Sequence, residues 1–171
     1  DDSFKRFSGM SSSFINSVSI KDLLNFLKTN NMPDGNKLII VSALLFEEGT
    51  IFEDRENNIS KAFFRYERAF ELIYTVFNED LECNIENYKS LSDTVIERLT
   101  QYELNTETLE KLFQYFKLTG NYAKADDCIY ELMHSSNSNN FKEAAISFYH
   151  ELLNKSDEEL SRGNLKRSEV E

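Results

Sequence analysis

The sequence predicts an all-α protein of antiparallel helical hairpins, stacked as an irregular array of about seven to eight helices. Three observations predict it. Apolar residues recur at i, i+3, i+4 and i+7 in one segment after another, the spacing that gathers them on one face of a helix. One Pro and five Gly are too few for the turns of a β-sandwich or barrel. Strand-like alternation is missing: the one β-prone run, "KLIIVSALLF" over 37–46, sits inside a longer periodic segment, which favours a buried helix. A chain of 171 residues fits a single helical-repeat-like domain over 1–171. It should bury roughly 70% of the surface its unfolded form exposes, much of it from fourteen Phe and eight Tyr.

Residues 1–13 are rich in Ser and other polar residues, with only Phe4, Phe7, Met10 and Phe14 hinting at an amphipathic turn, so this segment is expected to be poorly ordered. Ser19 then precedes Ile20, Leu23, Leu24 and Leu27, and Asp22 can answer the cap, predicting a helix from about 19 to 30. "NNMPDGN" over 30–36 breaks it. From Lys37 to about Arg55 the residues Ile40, Val41, Leu44, Leu45, Gly49 and Phe52 form a stripe broad enough for contacts on two sides, which predicts a central helix. Beyond "DRENN", Ala62, Phe63, Tyr66, Ala69, Phe70, Ile73 and Phe77 continue at helical spacing. These two helices should form an antiparallel hairpin.

A weaker segment from Glu86 to Tyr102 carries Tyr88, Leu91, Val95, Ile96 and Leu99 on one face. Asn105 or Thr106 caps the next helix, whose stripe Leu109, Leu112, Phe113 and Phe116 ends at Gly120, and Tyr122 to about His134 is its partner. "SSNSNN" over 135–140 reads as a polar loop, followed by an amphipathic helix from Phe141 to Leu153. Ser156 with Glu159 forms a capping box before a short helix ended by Gly163. Residues 164–171 read as the start of a truncated further helix, with Ser168 and Glu171 as its box. Because residue 1 is not Met and the tail opens a helix, the sequence reads as a piece of a longer chain.

"FKLTGNYAKADDCIYEL", Phe116 to Leu132, shows how one hairpin should close. Gly120 permits a left-handed turn, Tyr122 can cover the closed end, and Ala125 is small enough to let the helix axes approach. Leu109, Leu112, Phe113, Phe116, Gly120, Tyr122, Ala125, Ile129 and Leu132 together resemble a tetratricopeptide repeat, which implies a right-handed array of helix pairs. Phe113 stands where that repeat has a small residue, and Leu132 where it has a late alanine. A second set, Leu45, Gly49 and Phe52 with Ala62, Tyr66, Ala69 and Phe70, is similar to the same pattern with one extra turn residue. Ala62 and Ala125 lie closer than two periods of about 34 residues, and Phe141, Ala144 and Phe148 repeat a second-helix pattern directly after another second helix, so stacking should be irregular. The order "FINSVSIKDLLNFL", "LLFEEG", "LFQYFKLTGNYAKADD" and "SDEELSRGNLKRSEVE" resembles a family of Gram-positive bacterial proteins of unknown function, which implies a helical fold and a cytoplasmic setting and supplies no activity.

A formal charge of −11 argues against a nucleic-acid backbone or an anionic membrane as main partner, since both repel such a field. Lys61, Arg65 and Arg68 recur at i, i+4 and i+7, read as a solvated helix face interleaved with Glu or as a local basic patch. Cys83 and Cys128 have no CxxC or His at ligand spacing and read as free thiols of a reducing compartment, with a single disulfide as the alternative and Cys128 as a small core residue. No run approaches the roughly 20 apolar residues of a membrane span, and no signal peptide is apparent.

Chemistry is sparse. His134 and His150 lack an i+4 ligand partner, and His134 suits a helix C-terminus, so no metal, cofactor or catalytic residue is expected. The carboxylate pairs Glu47/Glu48, Glu53/Asp54, Asp126/Asp127 and the run Asp157 to Glu159 read as solvated faces or a helix first turn. Glu48 and Glu53 are the two to inspect, because their helix is apolar nearly all round. Phosphate-binding and hydrolase motifs are missing. The expected role is a non-enzymatic protein–protein interaction or scaffolding module receiving a protein or peptide, with Glu110, Gln114 and Lys117 facing the groove. Alternatives are a small-molecule or peptide sensor, or an enzyme, with a pocket among Phe46, Phe63, Tyr66, Tyr115 and Tyr130, and self-association into a homo-oligomer through an exposed apolar face.

Overall fold

In a computed structural model that describes residues 1–135 and 139–171, eleven helices and no β-strand are found among the described residues. Packing divides the chain into two compact units, Asp1–Glu103 and Leu104–Glu171, where the sequence suggested one domain. Of the expected polar loop at 135–140, residues 136–138 lie outside the described residues.

The first unit is organised around α4 (Gly35–Asp54) and α5 (Ile59–Asn78), of 20 residues each. Asp34 caps α4 by accepting from the Lys37 amide, and Asn58 caps α5 by accepting from the Lys61 amide. Contacts run in opposite senses along the pair: Ser42 Oγ donates to the Ala69 carbonyl at 3.0 Å, Gly49 meets Tyr66, and Gly35 meets Glu82. The hairpin is therefore antiparallel, and Lys37–Phe46 is helical within it. The two helices approach closely at Gly49, where an added Cβ would lie 2.6 Å from Tyr66 Cε1 and 3.1 Å from Arg65 Cβ. A glycine inside a helix is destabilising by about 0.5–1 kcal/mol relative to Ala, so its presence marks the packing constraint. Leu38, Val41, Leu45, Ala62, Ala69, Phe70 and Ile73 fill the interface. The six-residue α2 (Ser12–Ser17) and the seven-residue α1 (Asp2–Ser8) and α3 (Ile20–Phe26) precede the pair. Residues 1–13, expected to be poorly ordered, carry α1 and the start of α2, with Phe4 and Ser12 buried and Ile15 buried just beyond. Ser19 caps α3 as expected, but the helix stops before Leu27 and the left-handed Asn30 and Asn31 make the turn. Tyr88–Leu99 forms α6, with Ser92, Val95, Ile96 and Leu99 buried.

In the second unit α7 (Thr106–Thr119) and α8 (Tyr122–Ser135) form a hairpin closed at Gly120, whose φ of 73° is left-handed. The Asn121 amide reaches back to the Phe116 carbonyl at 2.9 Å, completing a Schellman-type end. Asn105 is the cap of α7, and Ala125, Ile129 and Leu132 are fully buried. Helix α9 (Asn139–Leu153) buries Ala145, Phe148 and Leu152, so Phe148 faces inward as expected while the buried alanine is Ala145 and not Ala144. The capping box of Ser156 and Glu159 opens α10 (Asp157–Arg162). Asn164, not Gly163, takes the left-handed conformation there, while Gly163 meets the Tyr122 ring, which leaves no room for a Cβ. The expected box at Ser168 and Glu171 is corrected: Glu169 accepts from the Lys166 amide at 2.8 Å, and the single turn α11 (Arg167–Val170) buries Val170.

Candidate functional site

The two carboxylates singled out in the sequence, Glu48 and Glu53, each stand at the centre of a polar cluster on α4. Glu48 is bound from α2 and α5 together: Ser12 Oγ donates to one oxygen, while Asn16 Nδ2 at 3.1 Å and Arg65 Nε at 2.5 Å donate to the other. Three donors on one carboxylate tie α4 to α2 and α5 through charge-assisted bonds. Next to this cluster Arg68 is only 5% exposed, and its Nη2 donates to the Ile15 carbonyl at 2.6 Å. Burial pushes its guanidinium below the ordinary value, and Arg65 adds repulsion. The reading of Lys61, Arg65 and Arg68 as a solvated face is thereby corrected: only Lys61 is exposed, because α2 covers the other end of the row.

Glu53 accepts from Tyr66 OH at 2.7 Å and Tyr102 OH at 2.6 Å, with Arg98 Nη1 at 3.5 Å. Burial alone would raise this carboxyl, but the Tyr102 and Tyr66 hydroxyls and the Arg98 charge outweigh it, leaving the group below its usual range. The phenols respond in the opposite sense. Burial and then the bond to Glu53 push Tyr66 up to about 12, and the same causes raise Tyr102 further. An ionised carboxylate holding two neutral phenols is a charge-assisted tie between α4, α5 and the end of α6. Sequence reasoning missed Tyr102, which is 49 residues from Glu53. Its position just past the apolar run of α6 was the available signal.

Of the five rings expected to line a pocket, Phe46, Phe63 and Tyr66 gather with Tyr102 at centroid distances of 5.3–6.1 Å. Tyr115 is instead buried in the second unit, and Tyr130 is exposed there, stacked 4.0 Å from His134. The His134 Nδ1–H donates to the Tyr130 carbonyl at 2.7 Å, the helix-end role its position suggested. Cys83 and Cys128 are free, and Cys128 is a buried core residue whose thiol is pushed up to about 12 by burial and then by Glu131 and Asp127. Tyr149 donates to Asp126 and ties α9 to α8. Among the described residues no three His, Cys, Asp or Glu side chains gather as a metal ion requires, and no helix is long and apolar enough to cross a membrane.

Of Glu110, Gln114 and Lys117, Glu110 is exposed and the other two are half-buried. Lys117 lies over the Phe113 and Phe148 rings and pairs with Glu151 of α9 at 3.0 Å. Exposed aliphatic side chains also lie on the outer side of α9. There a shallow depression of about 440 Å³ is lined by Glu143, Ile146, Ser147, His150, Glu151 and Asn154. Ile146 is 58% exposed and Leu153, two turns further along the helix, 47%.

Hairpins whose helices are tied together through the Glu48 and Glu53 clusters define an all-α helical protein. The match to a family model over residues 19–171 places the chain more narrowly: it belongs to the Family of unknown function (DUF6483). No curated protein and no solved structure matches it.

Proposed function

We propose that the chain is a non-enzymatic protein–protein interaction or scaffolding module of tetratricopeptide-like architecture, working in the cytoplasm of a Gram-positive bacterium. One observation carries the reading: the partly sheltered carboxylates Glu48 and Glu53 are occupied by donors from their own fold, whereas α9 leaves aliphatic side chains on an open face. Acidic Glu143 and Glu151 border the exposed Ile146. A partner helix laid along this stripe would bury the aliphatic groups and keep its charges at the rim, the usual arrangement of helix-in-groove recognition.

The test is affinity purification of the tagged chain from its native cells, with and without Ile146→Asp and Leu153→Asp. The reading expects a partner that co-purifies with the unsubstituted chain and is lost with the substituted one while circular dichroism is unchanged. Retention of the same partners by the substituted chain overturns it.

A further inference from the structure

We propose that α2 is an intramolecular stand-in for a partner, and that the face of α4 and α5 beneath it is a second helix-docking surface held closed by residues 1–17. The geometry is that of a bound peptide. Ser12, Ile15 and Asn16, at i, i+3 and i+4, share one face of α2. Ser12 and Asn16 reach Glu48, Ile15 is fully buried, and the Ile15 carbonyl in the last turn is taken by Arg68. A guanidinium on a terminal carbonyl is a favourable end for a helix.

The fit is imperfect at this contact. Among the described residues the two buried side-chain polar atoms without a hydrogen-bond partner are Asn16 Oδ1 and Arg68 Nε, one on each side of it. Buried groups left unsatisfied oppose the closed state. In addition, residues 1–17 bury only Phe4 and Ile15 as apolar anchors, few for a segment of that length. The family match begins at residue 19, so Glu48, Arg65 and Arg68 lie inside the family region and the covering helices outside it.

The partner is read from what α2 presents: a short helix with a hydroxyl, an aliphatic and an amide side chain on one face, ending where Arg68 can take a free carbonyl. A partner that also satisfies Arg68 Nε displaces the covering segment. This surface is built from residues of the first unit alone, and the proposal does not depend on the α9 face.

The probe is a fluorescent peptide with the sequence of residues 1–18, added to the full chain. Ile15→Gly unseats the chain's own α2 without adding a charge. The proposal expects the Ile15→Gly chain to bind the peptide at least tenfold more tightly than the unsubstituted chain, and Arg68→Met added to Ile15→Gly to remove most of that gain. Equal binding by the first two chains, or no effect of Arg68→Met, overturns it. A dimer exchanging residues 1–17 between copies, seen by light scattering, overturns the assignment to a foreign partner. Should Ile15→Gly fail to fold, hydrogen exchange on the unsubstituted chain decides: amides of α2 exchanging at least tenfold faster than those of α4 and α5 support the proposal, and exchange at the same rate overturns it.

Discussion

Replacing Gly49 by Ala tests how the central hairpin is held together. In an isolated helix the change would stabilise by about 1 kcal/mol, because Ala is the better helix former. Here the new Cβ would lie 2.6 Å and 2.9 Å from two Tyr66 ring carbons, against an ordinary carbon–carbon contact of about 3.5–4.0 Å. The ring cannot simply withdraw, since it is fully buried and its hydroxyl is held 2.7 Å from Glu53. Overpacking costs about 1–3 kcal/mol, and loss of a bond to a charged group about 1.5–3 kcal/mol if the ring yields. Set against the propensity gain of about 1 kcal/mol, Gly49→Ala should destabilise by up to about 2 kcal/mol, each kcal/mol lowering Tm by about 2–4 °C. Urea denaturation of four chains reads it as a cycle: unsubstituted, Gly49→Ala, Tyr66→Ala, and both. In the Tyr66→Ala background the clash with the ring is gone and only Arg65 Cβ, 3.1 Å away, still crowds the new methyl, so most of the loss from Gly49→Ala should disappear. An equal loss in both backgrounds, or a gain in the first, would refute close packing at Gly49.

Three further outcomes follow from the same contacts. Glu53→Gln should cost about 1–3 kcal/mol at neutral pH, because two sheltered phenols and Arg98 lose a charged acceptor. The folded carboxyl of Glu53 lies below its ordinary 4.5, so its contribution is present above that pH and disappears as the pH falls through the folded value. The two chains should therefore converge in stability in acid, and a gap that persists at low pH contradicts the tie. In an ultraviolet titration of the eight tyrosines, Tyr66 and Tyr149, each raised to about 12, and Tyr102, raised by the same causes, should ionise last. Tyr66→Phe removes one late transition, and removal of an early one refutes the assignment. An aromatic disulfide reagent should label Cys83 readily in the folded chain and Cys128 only after denaturation, since Cys128 is buried with a raised thiol.

Helix ends were the most legible part of the fold, because their signals are local. Ser19, Asn105, Gly120 and the Ser156–Glu159 box act where the sequence placed them. Glu48 and Glu53 stood out because carboxylates on a helix apolar on several sides have little solvent to face. Arg68 was misread for a physical reason. Its row with Lys61 and Arg65 looks solvated on α5 alone, and only the docking of α2 buries it. That docking was itself hidden, since residues 1–13 are dominated by polar side chains and the distant bonds that seat α2 run from Ser12 and Asn16 to Glu48 of α4 and from Arg68 of α5 to the Ile15 carbonyl. Gly163 was recognised as a helix stop, yet the Tyr122 ring, far earlier in the chain, is what requires a glycine there.

Photo-crosslinking from position 146 of the full chain in its native cells tests the interaction reading most directly. A photoreactive residue in place of the exposed Ile146 should give one discrete crosslinked protein, and the same probe at the exposed Glu110 of α7 should not. Products that are the same from both positions, or no protein adduct at 146, would contradict the assignment of the α9 face as the site where a partner binds.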